Sequence, residues 1–242
     1  MRRVTVLGSC AAWPEPGRAC SGFLVEYDGF RVVLDLGFGT LPRLLELRPS
    51  GDVDAVVVTH AHSDHCVDLN GLLRVRHYGD AAFEPVPLLC PDDVARLVDS
   101  MEPEPRLADL FDVRALPGEY RVGPFLVHAL TLPHHVPAVG VRLLAPGLTV
   151  AYTGDTGPHE NLAVLGDRAD LFVVEATHQG EQTSEHLLCA REAGRWATRA
   201  RARRLMLTHF WPGADRAVSR EEAGETFDGE ILVADEGLVV EL

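Results

Sequence analysis

Three imidazoles and a carboxylate fall within six residues at His60-Ala61-His62-Ser63-Asp64-His65, directly after the apolar run Ala55-Val56-Val57-Val58 and Thr59. Imidazole and carboxylate are the ligand types that suit zinc and related divalent ions. A strand arriving at Val58 would release the chain into a loop, where His60 and His62 can turn toward one ion. Asp64 and His65, further along the bend, would face a second. A polar loop with scattered histidines is the plain alternative. Four such groups packed this closely would, however, desolvate and repel one another without a cation.

Three more segments deliver a His or Asp at the end of an apolar run, the position from which loops carry chemistry on a rigid scaffold. Phe125 to Thr131 leads into Leu132-Pro133-His134-His135-Val136-Pro137, and Leu148 to Ala151 leads into Tyr152-Thr153-Gly154-Asp155. Leu205-Met206-Leu207-Thr208 leads into His209. Each alone is an ordinary strand-end polar residue, whereas together with the first cluster they complete a two-metal ligand set. Residue chemistry leaves the choice between His134 and His135 open, since neighbours on a strand face opposite sides.

This order of motifs, running from Val4 to about Val240, resembles the metallo-β-lactamase superfamily, for which H-x-H-x-D-H is a specific signature. The resemblance implies an α/β fold, a four-layer αβ/βα sandwich with metals at the shared sheet edge, and one hydrolase domain spanning residues 1–242. It implies that His60, His62 and His134 hold one divalent ion, that Asp64, His65 and His209 hold another, and that Asp155 bridges both. Zinc is the expected metal, with manganese as the alternative. The family spacing of a His, a Pro three residues on and a Gly six residues on is matched by His134, Pro137 and Gly140. A hydroxide between the ions would be the nucleophile. One zinc lowers the pKa of water to about 7, and two ions ~3.5–4 Å apart stabilise attacking and leaving oxygens together.

Two further segments resemble the ribonuclease Z-like branch. Val173-Val174-Glu175-Ala176-Thr177 matches its E-A-T element, and Ser184-Glu185-His186-Leu187, followed by Ala190-Arg191-Glu192-Ala193-Gly194, matches its His-containing helix start. By that resemblance Glu175 orients His186, which donates a proton to the leaving oxygen. A carboxylate beside an imidazole raises its pKa and fixes its tautomer, which suits a general acid near neutral pH. Asp64, Glu175 and His186 are thus the expected catalytic residues.

The chain departs from that branch in one respect. Ribonuclease Z carries a long arm between its third and fourth motifs that grips the tRNA elbow. Here His134 and Asp155 lie 21 positions apart, room for a hairpin turning at Ala145-Pro146-Gly147 and no arm. Secreted zinc lactamases mostly place Cys or another His where this chain has Asp155. The expectation is therefore a small-substrate phosphodiesterase, with cyclic nucleotides among its candidate substrates. A lactone, thioester or lactam hydrolase, or a ribonuclease Z-type nuclease, is the alternative. A non-catalytic metal-binding scaffold would not need Asp64, Glu175 and His186.

Charge narrows the partners. The net charge of −14 disfavours long nucleic acid, whose binding rests on neutralising many phosphates. A homodimer is compatible with this reading. All 22 basic side chains are Arg, so neither a Lys Schiff base nor a P-loop is present. The run Arg195, Arg199, Arg201, Arg203, Arg204 is expected to be a solvated face beside Glu192 rather than a phosphate patch. No stretch approaches the about eighteen apolar residues of a membrane span, and Met1-Arg2-Arg3 is expected to run directly into the strand Val4–Leu7, unlike a signal peptide. Five cysteines, Cys10, Cys20, Cys66, Cys90 and Cys189, without C-x-x-C spacing, point to a reducing cytoplasm. Cys66 reads as a small buried hydrophobe.

The elements that must position these residues follow from the hydrophobic pattern. Strands are expected at Val4–Leu7, Phe23–Glu26, Arg31–Asp35 and Val53–Val58, then through much of 111–141, and at Leu171–Val174 and Ile231–Val233. Helices are expected at Leu69–His77, from Pro91 through Met101, at Leu187–Arg199 and at Ser219–Phe227. Met101-Glu102-Pro103-Glu104-Pro105-Arg106 reads as a linker-like loop. Asp35, in a D-x-G-x-G context, is either a partner of a ligand imidazole or a turn residue. Asp68 either bonds an imidazole or favours its own helix start. His77 and His128 read as surface and structural residues. His159 and His178 fall in loops near the site, and Trp13, Trp211 and Phe38 either stack on a base or anchor loops.

Overall fold

The apolar runs expected to be extended do form strands, with ends displaced by one or two residues. The computed structural model describes residues 1–101 and 104–242, so Glu102 and Pro103 of the expected linker lie outside the described residues. The contacts divide the chain into two units, 1–116 with 236–241 and 117–235 with 242.

The first unit is built on β1 (Arg2–Gly8), β2 (Gly22–Tyr27), β3 (Phe30–Leu34), β4 (Ala55–Val57), β5 (Val86–Cys90), β6 (Phe111–Ala115) and the late strand β14 (Val239–Glu241). Their order is β14-β1-β2-β3-β4-β5-β6. Pairing is antiparallel from β14 to β3 and parallel from β3 to β6. Parallel neighbours need crossovers, which run through α1 (Thr40–Leu47), α2 (Ser63–Tyr78), α3 (Asp92–Met101) and the single turn α4 (Leu107–Leu110). Val33, Val56 and Leu88 of the sheet pack with Leu44, Leu69, Leu72, Val94 and Val98 of these helices in one core. Ala55, Val56 and Val57 are all buried, as a parallel strand covered on both faces requires.

The second unit repeats the plan. Its strands are β7 (Gly118–Val122), β8 (Phe125–Leu132), β9 (Ala138–Ala145), β10 (Leu148–Tyr152), β11 (Leu171–Glu175), β12 (Arg204–Thr208) and β13 (Glu230–Val233), ordered β13-β12-β11-β10-β9-β8-β7. Pairing is antiparallel from β7 to β10 and parallel beyond. Helices α5 (Asn161–Leu165), α6 (Ala190–Ala200) and α7 (Arg216–Gly224) make the crossovers. The expected hairpin is present: Pro146 and Gly147 alone join β9 to β10, with Gly147 at φ 73°. Each unit thus has the mixed sheet and flanking helices of an α/β fold.

Several boundaries differ from expectation for physical reasons. Helix α2 begins at Ser63, six residues early, because its first buried positions are Asp64, His65 and Cys66 rather than aliphatic residues. Asp64 and His65 therefore sit on a helical turn and not on a loop. Helix α6 begins at Ala190, so His186 precedes the helix rather than starting it. Helix α7 begins earlier than Ser219, where the Asp215 carboxylate accepts the Ala217 amide at 2.9 Å, an N-cap. His134 and His135 lie in a bend after β8, so strand alternation does not separate them. Among the described residues no helix is long and apolar enough to cross a membrane.

Candidate metal centre

Each unit carries its own group of ligand-type side chains, the first at the end of β4 and on the first turn of α2, the second just beyond the ends of β8, β10 and β12. In the first unit, Val58 and Thr59 extend β4 to His60, and His62 is the N-cap position of α2. His60 Nε2 and His62 Nδ1 face each other at 3.2 Å. Two nitrogens at zinc-binding distance in a tetrahedral site lie about 3.3 Å apart, so this pair fits the edge of a coordination polyhedron. His60 and His65 are fully buried, with ring centroids 4.1 Å apart.

Asp35 organises both imidazoles. It is fully buried, has φ 58°, and accepts the Thr59 amide at 2.7 Å and the Thr59 hydroxyl at 2.9 Å. It also accepts His65 Nδ1 at 2.7 Å. The Thr59 hydroxyl, having given its one proton to Asp35, accepts from His60 Nδ1 at 3.0 Å. In both rings the proton is therefore on Nδ1 and the lone pair on Nε2, the state a metal ligand needs. Of the two readings of Asp35, the imidazole partner is the one realised. Asp68 does neither of the things expected of it: it accepts the Leu41 amide at 2.8 Å, at the start of α1.

Asp64 is held by backbone. Its Oδ2 accepts the Ala12 amide at 2.8 Å and lies 3.7 Å from His65 Nε2. Ala12 adopts φ 57°, a left-handed conformation that alanine rarely takes. Opposite, Gly37 packs directly on the Asp64 peptide, where a Cβ would come 1.9 Å from the Asp64 carbonyl oxygen. Gly37→Ala is therefore expected to cost about 1–3 kcal/mol of stability and to weaken divalent-ion binding by moving Asp64. Thermal melting and a chelator competition check it, and parental values in both would remove Gly37 from the argument. Cys66, beside the cluster, is buried and its thiol is pushed up to about 12, first by burial and then by Asp35 and Asp64, as a buried hydrophobe should be.

In the second unit, Asp155 follows β10 and points one oxygen at each of two imidazoles. Its Oδ2 lies 3.7 Å from His134 Nε2 and its Oδ1 lies 3.2 Å from His209 Nε2. His134 Nδ1 donates to the His186 carbonyl at 3.0 Å, which again leaves Nε2 for a metal. His135 instead lies against the His186 ring, with centroids 4.2 Å apart. His209, after β12, has φ 57° and meets the Thr177 hydroxyl through Nδ1 at 2.8 Å.

The expected pairing of Glu175 with His186 is not formed. Glu175 is fully buried and spends its oxygens elsewhere: Oε1 accepts the Thr156 amide at 2.8 Å, and Oε2 accepts the Thr177 hydroxyl at 2.5 Å and amide at 3.3 Å. Burial, then the Asp155 charge, pushes its carboxyl up, while His209 and the hydrogen-bond donors pull the other way. His186 lies in the segment before α6. Its amide and that of Leu187 are received by the Ser184 hydroxyl at 3.1 Å, and its Nδ1 is buried without a hydrogen bond among the described residues. The sequence assigns no role to Thr59, directly before His60, or to Thr177, the last residue of the E-A-T element.

The remaining expectations sort simply. Four arginines of the run are ion-paired on the surface, Arg195 with Glu192, Arg199 with Glu160, Arg201 with Asp167 and Arg203 with Asp170, and Arg204 donates to the Asp170 carbonyl. His178 clamps the segment before α6 by backbone bonds to Leu188 and Ala190. The His159 ring accepts the Asn161 amide at 3.1 Å. Trp13 and Trp211 are exposed.

Residues 30–210 match the family model described as a β-lactamase superfamily domain. The chain is similar to protein ML1173 of Mycobacterium leprae, 35% identical over 95% of this chain and 84% of that one. It is also similar to a ribonuclease Z of Halorubrum lacusprofundi, 30% identical over 99% of this chain and 97% of that one. Among solved structures, the metallo-β-lactamase fold protein YhfI from Bacillus subtilis superposes with a TM-score of 0.90 at 28% identity, covering 100% of this chain and 99% of the other. The fold expected from the sequence is the fold of that structure.

Proposed function

The chain belongs to the metallo-β-lactamase superfamily as a ribonuclease Z-like metal-dependent hydrolase, and we propose that it cleaves small phosphodiesters, cyclic nucleotides among them, with two divalent ions. The observation that carries this reading is Asp155, which directs one oxygen toward His134 and the other toward His209. A carboxylate so placed is suited to bridge. The assignment is then His60, His62 and His134 for one ion, Asp64, His65 and His209 for the other, and Asp155 for both. When bound, two such ions supply Lewis acidity for the phosphoryl oxygen and water that is reactive near neutral pH.

The chain's own groups do the rest. Asp35 and Thr59 set the tautomers of His65 and His60. Ala12 holds Asp64 by its amide, so that carboxylate keeps one orientation. His186 is the proton donor to the leaving oxygen, and its segment is fixed to the His134 ring by its own carbonyl. Glu175 serves from the protein interior.

A small substrate is supported by what the chain lacks. The alignment with the Halorubrum ribonuclease Z runs over 301 positions against 242 residues here, so that relative carries segments this chain does not. Between His134 and Asp155 there is only the β9–β10 hairpin, and the net charge of −14 opposes a long polyanion. Ribonuclease Z-type processing is the second reading, favoured by that relative's name.

Purified protein is expected to hold about two zinc or manganese ions per chain by elemental analysis. Bis-p-nitrophenyl phosphate and a cyclic nucleotide should be hydrolysed in preference to a lactone, nitrocefin or a precursor tRNA. Absence of any transition metal, with no gain of activity on adding one, would sink the dinuclear reading. Turnover of the lactone or of the tRNA alone would replace the substrate class.

A further inference from the structure

We infer that Thr177 is the positioning residue of His209, with Glu175 as its anchor, so that the E-A-T element serves a metal ligand rather than the proton donor. The three groups are buried and connected in series. The Thr177 hydroxyl gives its proton to Glu175 Oε2 at 2.5 Å and meets His209 Nδ1 at 2.8 Å. A hydroxyl has one proton. Both Glu175 oxygens also receive backbone amides, from Thr156 and Thr177, an arrangement that suits the ionised carboxylate. With the hydroxyl proton committed to that carboxylate, the hydroxyl can only accept from His209, which places the imidazole proton on Nδ1 and the lone pair on Nε2. Nε2 is the atom that faces Asp155 Oδ1 at 3.2 Å.

Strand register fixes the anchor. Glu175, at the end of β11, pairs with Thr208 at the end of β12, and the Ala176 amide bonds the Thr208 carbonyl at 2.8 Å. The Thr156 amide secures the far oxygen of Glu175. The first unit contains the same device independently: Asp35 receives the Thr59 hydroxyl, and that hydroxyl receives His60 Nδ1. A carboxylate–threonine–imidazole series that is found in both units among the described residues, each time behind a proposed ligand, is a tautomer lock rather than a chance contact.

The inference rests on the assignment of His209 as a metal ligand, and metal affinity tests it separately from turnover. Zinc-loaded parent, Thr177→Val, Thr177→Ser and Glu175→Gln proteins are titrated against a fluorescent zinc chelator. Thr177→Val is expected to weaken one of the two sites by about 10–100-fold, the range for losing a partner of a ligand imidazole. Thr177→Ser, which keeps the hydroxyl, should bind as the parent does. Glu175→Gln should weaken the same site, and the double variant with Thr177→Val should lose no more than Thr177→Val alone, because the groups act in series. Parental affinity in Thr177→Val, or failure of serine to rescue, overturns the role of Thr177. Additive losses overturn Glu175 as the anchor. A parent protein that binds no zinc refutes the dinuclear reading itself, an outcome distinct from both. Should Thr177→Val fail to fold, Thr177→Ser and Glu175→Gln still decide: an unaffected Glu175→Gln overturns the series.

Discussion

Asp64→Ala is expected to abolish hydrolysis of bis-p-nitrophenyl phosphate and to leave the fold in place. The expected loss is about 10³-fold or more, roughly 4 kcal/mol of transition-state stabilisation, because Asp64 is a proposed ligand whose oxygen is aimed by the Ala12 amide. The fold should survive because the core of the first unit is made by Val33, Val56, Leu69, Leu72, Leu88 and their neighbours, not by Asp64. His62→Ala should behave alike, since it removes the nitrogen that faces His60 Nε2 at 3.2 Å. Turnover, metal content and far-ultraviolet circular dichroism together check this. Near-normal turnover in Asp64→Ala would end the two-ion proposal.

The second large effect depends on the leaving group. If His186 protonates the departing oxygen, His186→Ala should lower the rate by about 10²–10⁴-fold on a ribose alkoxide. With p-nitrophenolate, which departs readily without a proton, the loss should be far smaller. Metal content should not change, since the bond from this segment to His134 is made by the main-chain carbonyl of residue 186 and not by its ring. Glu175→Gln provides the contrast. Because Glu175 is bonded to Thr156 and Thr177 and not to His186, its loss should fall equally on both substrates. Equal losses for the two leaving groups in His186→Ala would remove its acid role.

The parts of the site legible in the sequence were those coded by side-chain type at a strand end. His60, His62, Asp155 and His209 each follow an apolar run, and the fold places each just beyond β4, β10 or β12. Less legible was anything decided by what a polar group touches inside the protein. Helix α2 hid its first turn because Asp64 and His65 occupy buried positions that aliphatic residues normally mark. The strand β5 was hidden by Pro87, and α1 by Pro42, which reads as a breaker although the first turn of a helix tolerates it. The resemblance pairs Glu175 with His186, whereas in the fold its oxygens bond Thr156 and Thr177, since sequence order does not record which hydroxyl intervenes. His134 was separated from His135 by family spacing, and in the fold the two rings have different neighbours, Asp155 for one and His186 for the other.

Pro146 and Gly147 close the β9–β10 hairpin at an exposed tip, and this turn lies within the interval that separates the third ligand motif from the fourth. Loop-closure entropy rises only with the logarithm of length, by about 0.6 kcal/mol for each doubling. Insertion at such a tip therefore costs little stability and leaves every proposed ligand and its hydrogen-bond partner in place. In evolutionary terms the turn is a place where length can drift freely, because the residues that carry the chemistry do not depend on it.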